Sequence, residues 1–221
     1  MNAAAVLDRS ALAGHGYVHA PGAVSQALID RLITVLPAAE AGVRLALGSS
    51  AVTLALPALA PIVAALAPAA RPVRCVLFDK TRGTNWAVPW HQDRTIALEA
   101  RRDVPGYGPW SVKQGVIHVE PPFPLMAAML TLRLHLDDCP ADNAPLLVVP
   151  GSHHQRHAAA AAAGIAAAGD IVACCAAAGD VWVYRTPIIH ASQRAERPRR
   201  RRVLQIDYCA ASLPPELAWA A

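Results

Sequence analysis

Within the stretch AVPWHQDRTIAL, His91 and Asp93 stand two residues apart with Gln92 between them. In an extended strand, residues i and i+2 project to the same side, so the imidazole and the carboxylate reach out together. A neutral imidazole beside a carboxylate suits a divalent first-row metal. The spacing is common by chance, and taken alone it favours an ordinary polar strand edge. A metal clamp needs a third ligand. His190 offers one: it ends the apolar run TPIIH, 99 positions after His91, and an antiparallel barrel brings such distant strands side by side. Two histidines and a carboxylate on one face of a metal leave its other face open, as in the facial triad of non-haem Fe(II) oxygenases. The same three ligands could hold zinc for hydrolysis.

The residues beyond His190 bear on that choice. A 2-oxoglutarate cosubstrate that chelates iron through its keto acid end needs a fixed cation for its far carboxylate. Arg201 lies eleven residues after His190 and opens the run RRVLQIDYC. A hairpin return sets neighbouring strands roughly 5 Å apart, which brings Arg201 near His190. The planar fork of arginine binds a carboxylate bidentately. Arg199 shares its strand parity and is the runner-up, and Ser192 can donate a second hydrogen bond.

The chain that must position these groups has 221 residues, 54% of them hydrophobic, enough for one domain with a sizeable core. The formal charge is +4, and most of the excess sits in RAERPRRRR, ending at Arg202. A nucleic-acid surface would spread basic residues over a face with aromatics to stack on. One short cluster in a chain with 5% aromatic residues does neither. Five cysteines, an odd number with no Cys-x-x-Cys pair, fit neither a disulfide framework nor a zinc knuckle. With Asp8 and Arg9 where a secretion signal needs its apolar centre, they point to a cytoplasmic protein. Leu45–Ala70 carries no charge and is long enough to span a bilayer. Pro57, Pro61 and Pro68 instead divide it into short buried helices.

The segment from Gly16 to Gly42 reads as a short strand, a turn at Pro21-Gly22 and a helix that Ser25 can cap. RPVRCVLFDK is a strand. Residues 101–124, with five prolines and three glycines, read as a long loop; its Tyr107, Trp110 and Phe123 make it a candidate substrate lid. In LTLRLHL, leucines alternate with Thr131, Arg133 and His135, so one strand face is aliphatic and the other polar. That polar face meets either solvent or a wet cavity. Short strands then dominate the rest, with turns between them, as in an antiparallel sandwich or barrel flanked by helices.

WHQD, DNAPLLVVPGSHH and HAS…RRVLQIDY, in this order, resemble the phytanoyl-CoA dioxygenase family of Fe(II)/2-oxoglutarate oxygenases, and GHGYVHAPGAVS resembles that family's opening. The likeness runs from about Gly14 to Tyr208. It implies a mainly β fold with flanking helices, the double-stranded β-helix or jelly-roll, cupin-like barrel. The expected arrangement is one domain over residues 1–221, with a helical flank over roughly 1–70 and a barrel over roughly 71–210. The resemblance implies Fe(II) at His91, Asp93 and His190, 2-oxoglutarate anchored by Arg201, and O2 as co-reactant. Gln92 and Ser192 match positions lining the cosubstrate site. Arg133 replaces an aromatic residue that relatives place beside 2-oxoglutarate, which leaves cosubstrate or a substrate anion as its partner. Arg44 could add a further positive charge. Where relatives carry Gly after Asn, this chain has Ala144, implying a different turn geometry.

The expected activity is hydroxylation of an unactivated C–H bond in a small molecule, with no nucleic-acid or membrane partner. The rivals are a zinc or manganese hydrolase or isomerase on a cupin-like barrel, and a barrel that binds a ligand without turnover. His153, His154 and His157 lack a carboxylate at ligand spacing and read as a structural loop. Asp137 and Asp138, adjacent in a strand, point to opposite faces and cannot share one substrate.

Overall fold

The computed structural model describes residues 7–37 and 42–220. The end of the segment read as a helix, 38–41, lies outside them. Along the chain run α1 (Arg9–Gly14), β1 (Tyr17–Ala20), α2 (Gln26–Val35), β2 (Gly42–Leu45), α3 (Ser50–Leu66), β3 (Arg71–Lys80), β4 (Val88–His91) and β5 (Ile96–Leu98). Next come β6 (Trp110–Lys113), β7 (Val116–Val119), α4 (Phe123–Ala127), β8 (Met129–His135), β9 (Leu146–Val148) and α5 (Ala162–Ala168). The last strands are β10 (Val172–Cys174), β11 (Val181–Arg185), β12 (His190–Ser192) and β13 (Arg201–Cys209). Three sheets result, ordered β1-β11-β8-β13-β3-β2, β10-β9-β12-β4 and β5-β7-β6. The first two are the major and minor sheets of a double-stranded β-helix. The region expected to be a helical flank also contributes β1 and β2, one to each edge of the major sheet.

β8 shows why the sheet has a dry side and a wet side. Every residue of it is buried. Leu130, Leu132, Leu134 and Leu136 join Ile29 and Leu32 of α2 and Val52, Ala55 and Leu59 of α3 in one apolar cluster. Each leucine so buried contributes about 1.5–3 kcal/mol. Thr131, Arg133 and His135 face the opposite way, into the interior. The ladder continues that polar face: Arg133 pairs with Gln205 and Thr131 with Asp207 on β13, which pair in turn with Val76 and Arg74 on β3. The open question of solvent or cavity is settled in favour of the interior.

Two sequence expectations are corrected. Leu45–Ala70 forms one continuous helix over Ser50–Leu66 with Pro57 and Pro61 inside it. The prolines are four residues apart and both exposed, so the carbonyls they leave without an intrahelical donor face water. At 17 residues the helix falls short, and no helix of the described residues is long and apolar enough to cross a membrane. Residues 101–124 are not one irregular loop: β6 and β7 form a hairpin across Gln114 (φ 50°) and Gly115 (φ 78°). Positive φ at both turn residues is the tight hairpin geometry that Asn-Gly usually signals; Gln-Gly hides it. The five cysteines are all unpaired.

Candidate active site

β12 lies between β9 and β4 in the minor sheet, and its first residue, His190, is the ladder partner of His91, the last residue of β4. The two rings are 4.3 Å apart at 55°. Asp93 comes just beyond the end of β4. One possible ligand atom from each of His91, Asp93 and His190 lies within 4.8 Å of the others, close enough for a small inward shift of the side chains to gather all three on one ion with bonds of about 2.0–2.2 Å.

The protonation pattern fits a metal. Nδ1 of His91 lies 2.8 Å from the Pro89 carbonyl oxygen, and Nδ1 of His190 lies 2.9 Å from that of Ile188. A carbonyl only accepts, so each Nδ1 carries the proton and each Nε2 keeps a lone pair for a metal. Burial pushes the Asp93 carboxyl up, but the neighbouring His190 ring, the Arg74 guanidinium and the His91 ring outweigh it and hold the group below the usual carboxylate range. Burial holds His190 below the ordinary imidazole value despite the Asp93 carboxylate.

A cavity of about 160 Å³ is lined at once by these three residues and by Lys80, Arg133, Ser192 and Arg201. That matches the scale of a cavity of ~150 Å³ that admits benzene. Arg201 begins β13, is 3% exposed, and its Nη1 donates to the Ala144 carbonyl oxygen. Its Nε has no protein partner. Arg199 instead lies outside, paired with Asp142, so of the two it is Arg201 that lines the cavity. Ser192 Oγ lies 3.2 Å from Lys80 Nζ and 3.3 Å from the Ala144 oxygen. Ala144 itself holds φ 53°, ψ 59°, the left-handed conformation a glycine would take, so the expected change of turn geometry does not occur.

Arg133 reaches Gln205 Oε1 at 2.7 Å, sits 5.3 Å from the Phe78 ring, and leaves its own Nε without a protein partner. Gln92 is not brought to this wall. Its amide nitrogen donates to the carbonyls of Ser152, Gln155 and Pro187, and its oxygen accepts from the His157 N–H. That spends the amide on holding the 152–157 loop against the segment carrying His91 and Asp93. His135 lies on the same strand face as Arg133, buried, away from the lining. The three loop histidines bond backbone carbonyls of Ala13, Gly14 and Ser152, as a structural loop would. Asp137 pairs with Arg202 and Asp138 accepts from the Ala178 N–H.

Lys80, Arg74 and Trp86 are among the lining residues that escaped the sequence reading. Lys80 ends β3 opposite Arg201. Its ammonium donates to the Trp86 carbonyl oxygen at 2.7 Å and lies 4.6 Å from that indole ring. Burial, with Arg201 and Arg133 nearby, lowers its pKa to about 8. Arg74 shares the inward face of β3, as strand parity from Lys80 would have indicated. Trp86 stands in the loop between β3 and β4. The expected lid residues Tyr107, Trp110 and Phe123 pack instead against an apolar cluster of Ile96, Leu98 and Val119, while Trp86 and Val88 line the cavity.

The geometry has counterparts among known proteins. The fold matches AviO1 from Streptomyces viridochromogenes Tue57 at TM-score 0.65 and 22% identity, over 96% of this chain and 99% of that one. It matches SnoN, described as an epimerase in complex with Fe3+, alpha ketoglutarate and nogalamycin RO, at TM-score 0.69 and 18% identity, over 96% and 84%. EctD from S. alaskensis, in its apoform, matches at TM-score 0.63 and 17% identity, over 91% and 75%. No curated protein sequence matches significantly. The family profile described as phytanoyl-CoA dioxygenase (PhyH) matches residues 43–203, a span that includes the triad, Lys80, Arg133 and Arg201. The chain therefore belongs to the phytanoyl-CoA dioxygenase family, whose members work with ferrous iron, 2-oxoglutarate and O2.

Proposed function

We propose that the protein hydroxylates an unactivated C–H bond of a small molecule, with iron at His91, Asp93 and His190 and 2-oxoglutarate anchored by Arg201. The observation that carries this reading is one cavity lined both by the triad and by the buried cations Lys80, Arg133 and Arg201. Among the described residues that line it, Asp93 is the one carboxylate. The cationic part of the lining therefore suits an anion and repels a second metal.

Bound together at this site, ferrous iron, 2-oxoglutarate and O2 supply the oxidising power, which no side chain here could provide. The protein's own part is positioning. The Pro89 and Ile188 carbonyls fix both imidazole rings with Nε2 inward, and Asp93 supplies the balancing negative charge. Arg201 offers its unpartnered Nε, and Lys80 and Ser192 flank it, so the distal carboxylate meets charge-assisted donors. Arg133, held by Gln205, lies alongside. Gln92 acts as a positioning residue through the loop it ties down. Trp86 and Val88 keep water from the reacting centre.

SnoN is described as an epimerase and SnoK as a carbocyclase, so the outcome of the oxidation needs its own test. Candidate small molecules incubated with the iron-loaded protein, 2-oxoglutarate and O2 should give succinate together with a product one oxygen atom heavier. A product of unchanged mass or two hydrogens lighter would replace hydroxylation with epimerisation or ring closure. Hydrolysis without succinate would move the protein to the hydrolase class.

A further inference from the structure

The cavity is richer in positive charge than a diacid and a metal require. Arg74, Lys80, Arg133 and Arg201 all line it. Burial divides them. Lys80, Arg133 and Arg201 are 6%, 6% and 3% exposed, within reach only of a ligand that enters fully, as the cosubstrate does. The Arg74 side chain is 31% exposed. It lines the same cavity as the triad while part of its side chain keeps contact with solvent.

Arg44 lies beside it. On β2 it is the ladder partner of Val76, and Val76 shares with Arg74 and Phe78 the inward face of β3. Directly opposed residues of an antiparallel pair point to one side, and the diagonal neighbour two positions away is about 7–8 Å off, within reach of long side chains. Arg44 and Arg74 are such diagonal neighbours. Both face Asp207, which lies 3.3 Å from Arg74 Nη1 and is shared with Thr131 and Gln205; Arg74 also faces the Asp93 carboxylate, which places it beside the metal site. Arg44 Nη2 is buried with no protein partner. A guanidinium nitrogen taken from water and left unbonded is destabilising, and a ligand oxyanion would relieve it.

We propose that the molecule oxidised by this protein carries an oxyanion, a carboxylate or a phosphate, and that Arg74 together with Arg44 receives it at the rim of the cavity near the metal site. This rests on the proposed function, because it assigns the deep cations to 2-oxoglutarate and the shallow pair to the substrate. The pair would hold one end of the molecule while its reacting carbon lies over the open face of the metal. A neutral analogue would lose that hold and gain nothing in exchange.

The test uses the full chain loaded with ferrous iron and saturated with 2-oxoglutarate in the absence of oxygen. Benzoate, methylphosphonate and neutral benzamide are titrated by calorimetry. At least one anion should bind about tenfold or more tighter than benzamide, and the stronger arm tells carboxylate from phosphate. Arg74→Gln and Arg44→Gln should each bring that preference to within about twofold of none, while 2-oxoglutarate still titrates. Equal binding of anions and benzamide by the unaltered protein would overturn the inference. So would a preference that survives both substitutions, or one lost only together with 2-oxoglutarate binding. If the unaltered protein fails to bind 2-oxoglutarate at all, the proposed function falls, and this inference with it.

Discussion

Lys80 and Arg201 are direct ladder partners at adjoining ends of β3 and β13, two buried cations side by side with no carboxylate between them. Such a pair is unfavourable until an anion arrives. Burial and the neighbouring guanidinium groups of Arg201 and Arg133 hold Lys80 near a pKa of about 8. An incoming carboxylate favours its charged form. Below pH 8 the ammonium is already charged and binding takes up no proton. Above pH 8 binding must add one, so 2-oxoglutarate affinity should stay flat up to about pH 8 and weaken beyond it. Lys80→Met should bind more weakly at neutral pH and lose that dependence. In the protein without cosubstrate the same lowered pKa acts on stability with the opposite sense. Unfolding restores the proton between pH 8 and the free lysine value, so stability should rise with pH across that window in thermal melts, and Lys80→Met should flatten the rise.

Arg201→Gln removes the planar donor that best fits the distal carboxylate. Loss of a buried charge-assisted contact costs about 2–5 kcal/mol, so 2-oxoglutarate affinity should fall at least about thirtyfold while iron affinity changes little. Arg199→Gln serves as the comparison, since Arg199 pairs with Asp142 at the surface. Its cosubstrate affinity should stay within about twofold of the parent.

Gln92→Leu should act through stability. It leaves the Gln155 and Pro187 carbonyls and the His157 N–H without their partner, while the Ser152 carbonyl keeps His157 Nε2. At about 1–3 kcal/mol for each buried unsatisfied group, with water reaching some of them, a loss of about 3 kcal/mol in denaturant unfolding is expected. Were Gln92 a direct cosubstrate contact, stability would hold and 2-oxoglutarate affinity alone would drop.

Trp110 and Trp86 separate the two lid assignments. Trp110 packs on the cluster around Ile96 and Val119, so Trp110→Ala should lower the melting temperature and leave 2-oxoglutarate affinity nearly unchanged. Trp86 lines the cavity and accepts the Lys80 ammonium at its carbonyl oxygen. Trp86→Ala should therefore increase succinate formation uncoupled from substrate, as water gains access to the site. Increased uncoupled turnover in Trp110→Ala, with none in Trp86→Ala, would restore the lid to residues 101–124.

The parts of this site legible in the sequence were those fixed by strand parity and by local motif. His91 and Asp93 share a side by i, i+2 spacing, and Arg133 faces inward by the alternation of LTLRLHL. Arg201 reaches the cavity by another route than the expected hairpin: β12 lies in the minor sheet and β13 in the major one, so the chain crosses between sheets after His190. Lys80 and Arg74 obey the same alternation, but RPVRCVLFDK mixes polar and apolar residues on both faces, because its outward side also carries Asp79, which pairs with Arg200. No clean pattern marked either residue. Gln92 was misplaced for a different reason. Its neighbours in the chain are both proposed ligands, yet its own direction depends on a loop about sixty residues away. The unbroken helix through Pro57 and Pro61 depended on which face met solvent, a tertiary fact.

Three side chains and a buried arginine pocket are proposed to hold one ferrous ion and one 2-oxoglutarate together. Titrating the iron-loaded protein with 2-oxoglutarate under anaerobic conditions tests this directly. The expected result is a weak visible absorption band from the metal–keto acid chelate, saturating at one equivalent each of iron and 2-oxoglutarate, and lost in His190→Ala. No band in the unaltered protein, or the same band after His190 is replaced, would contradict it.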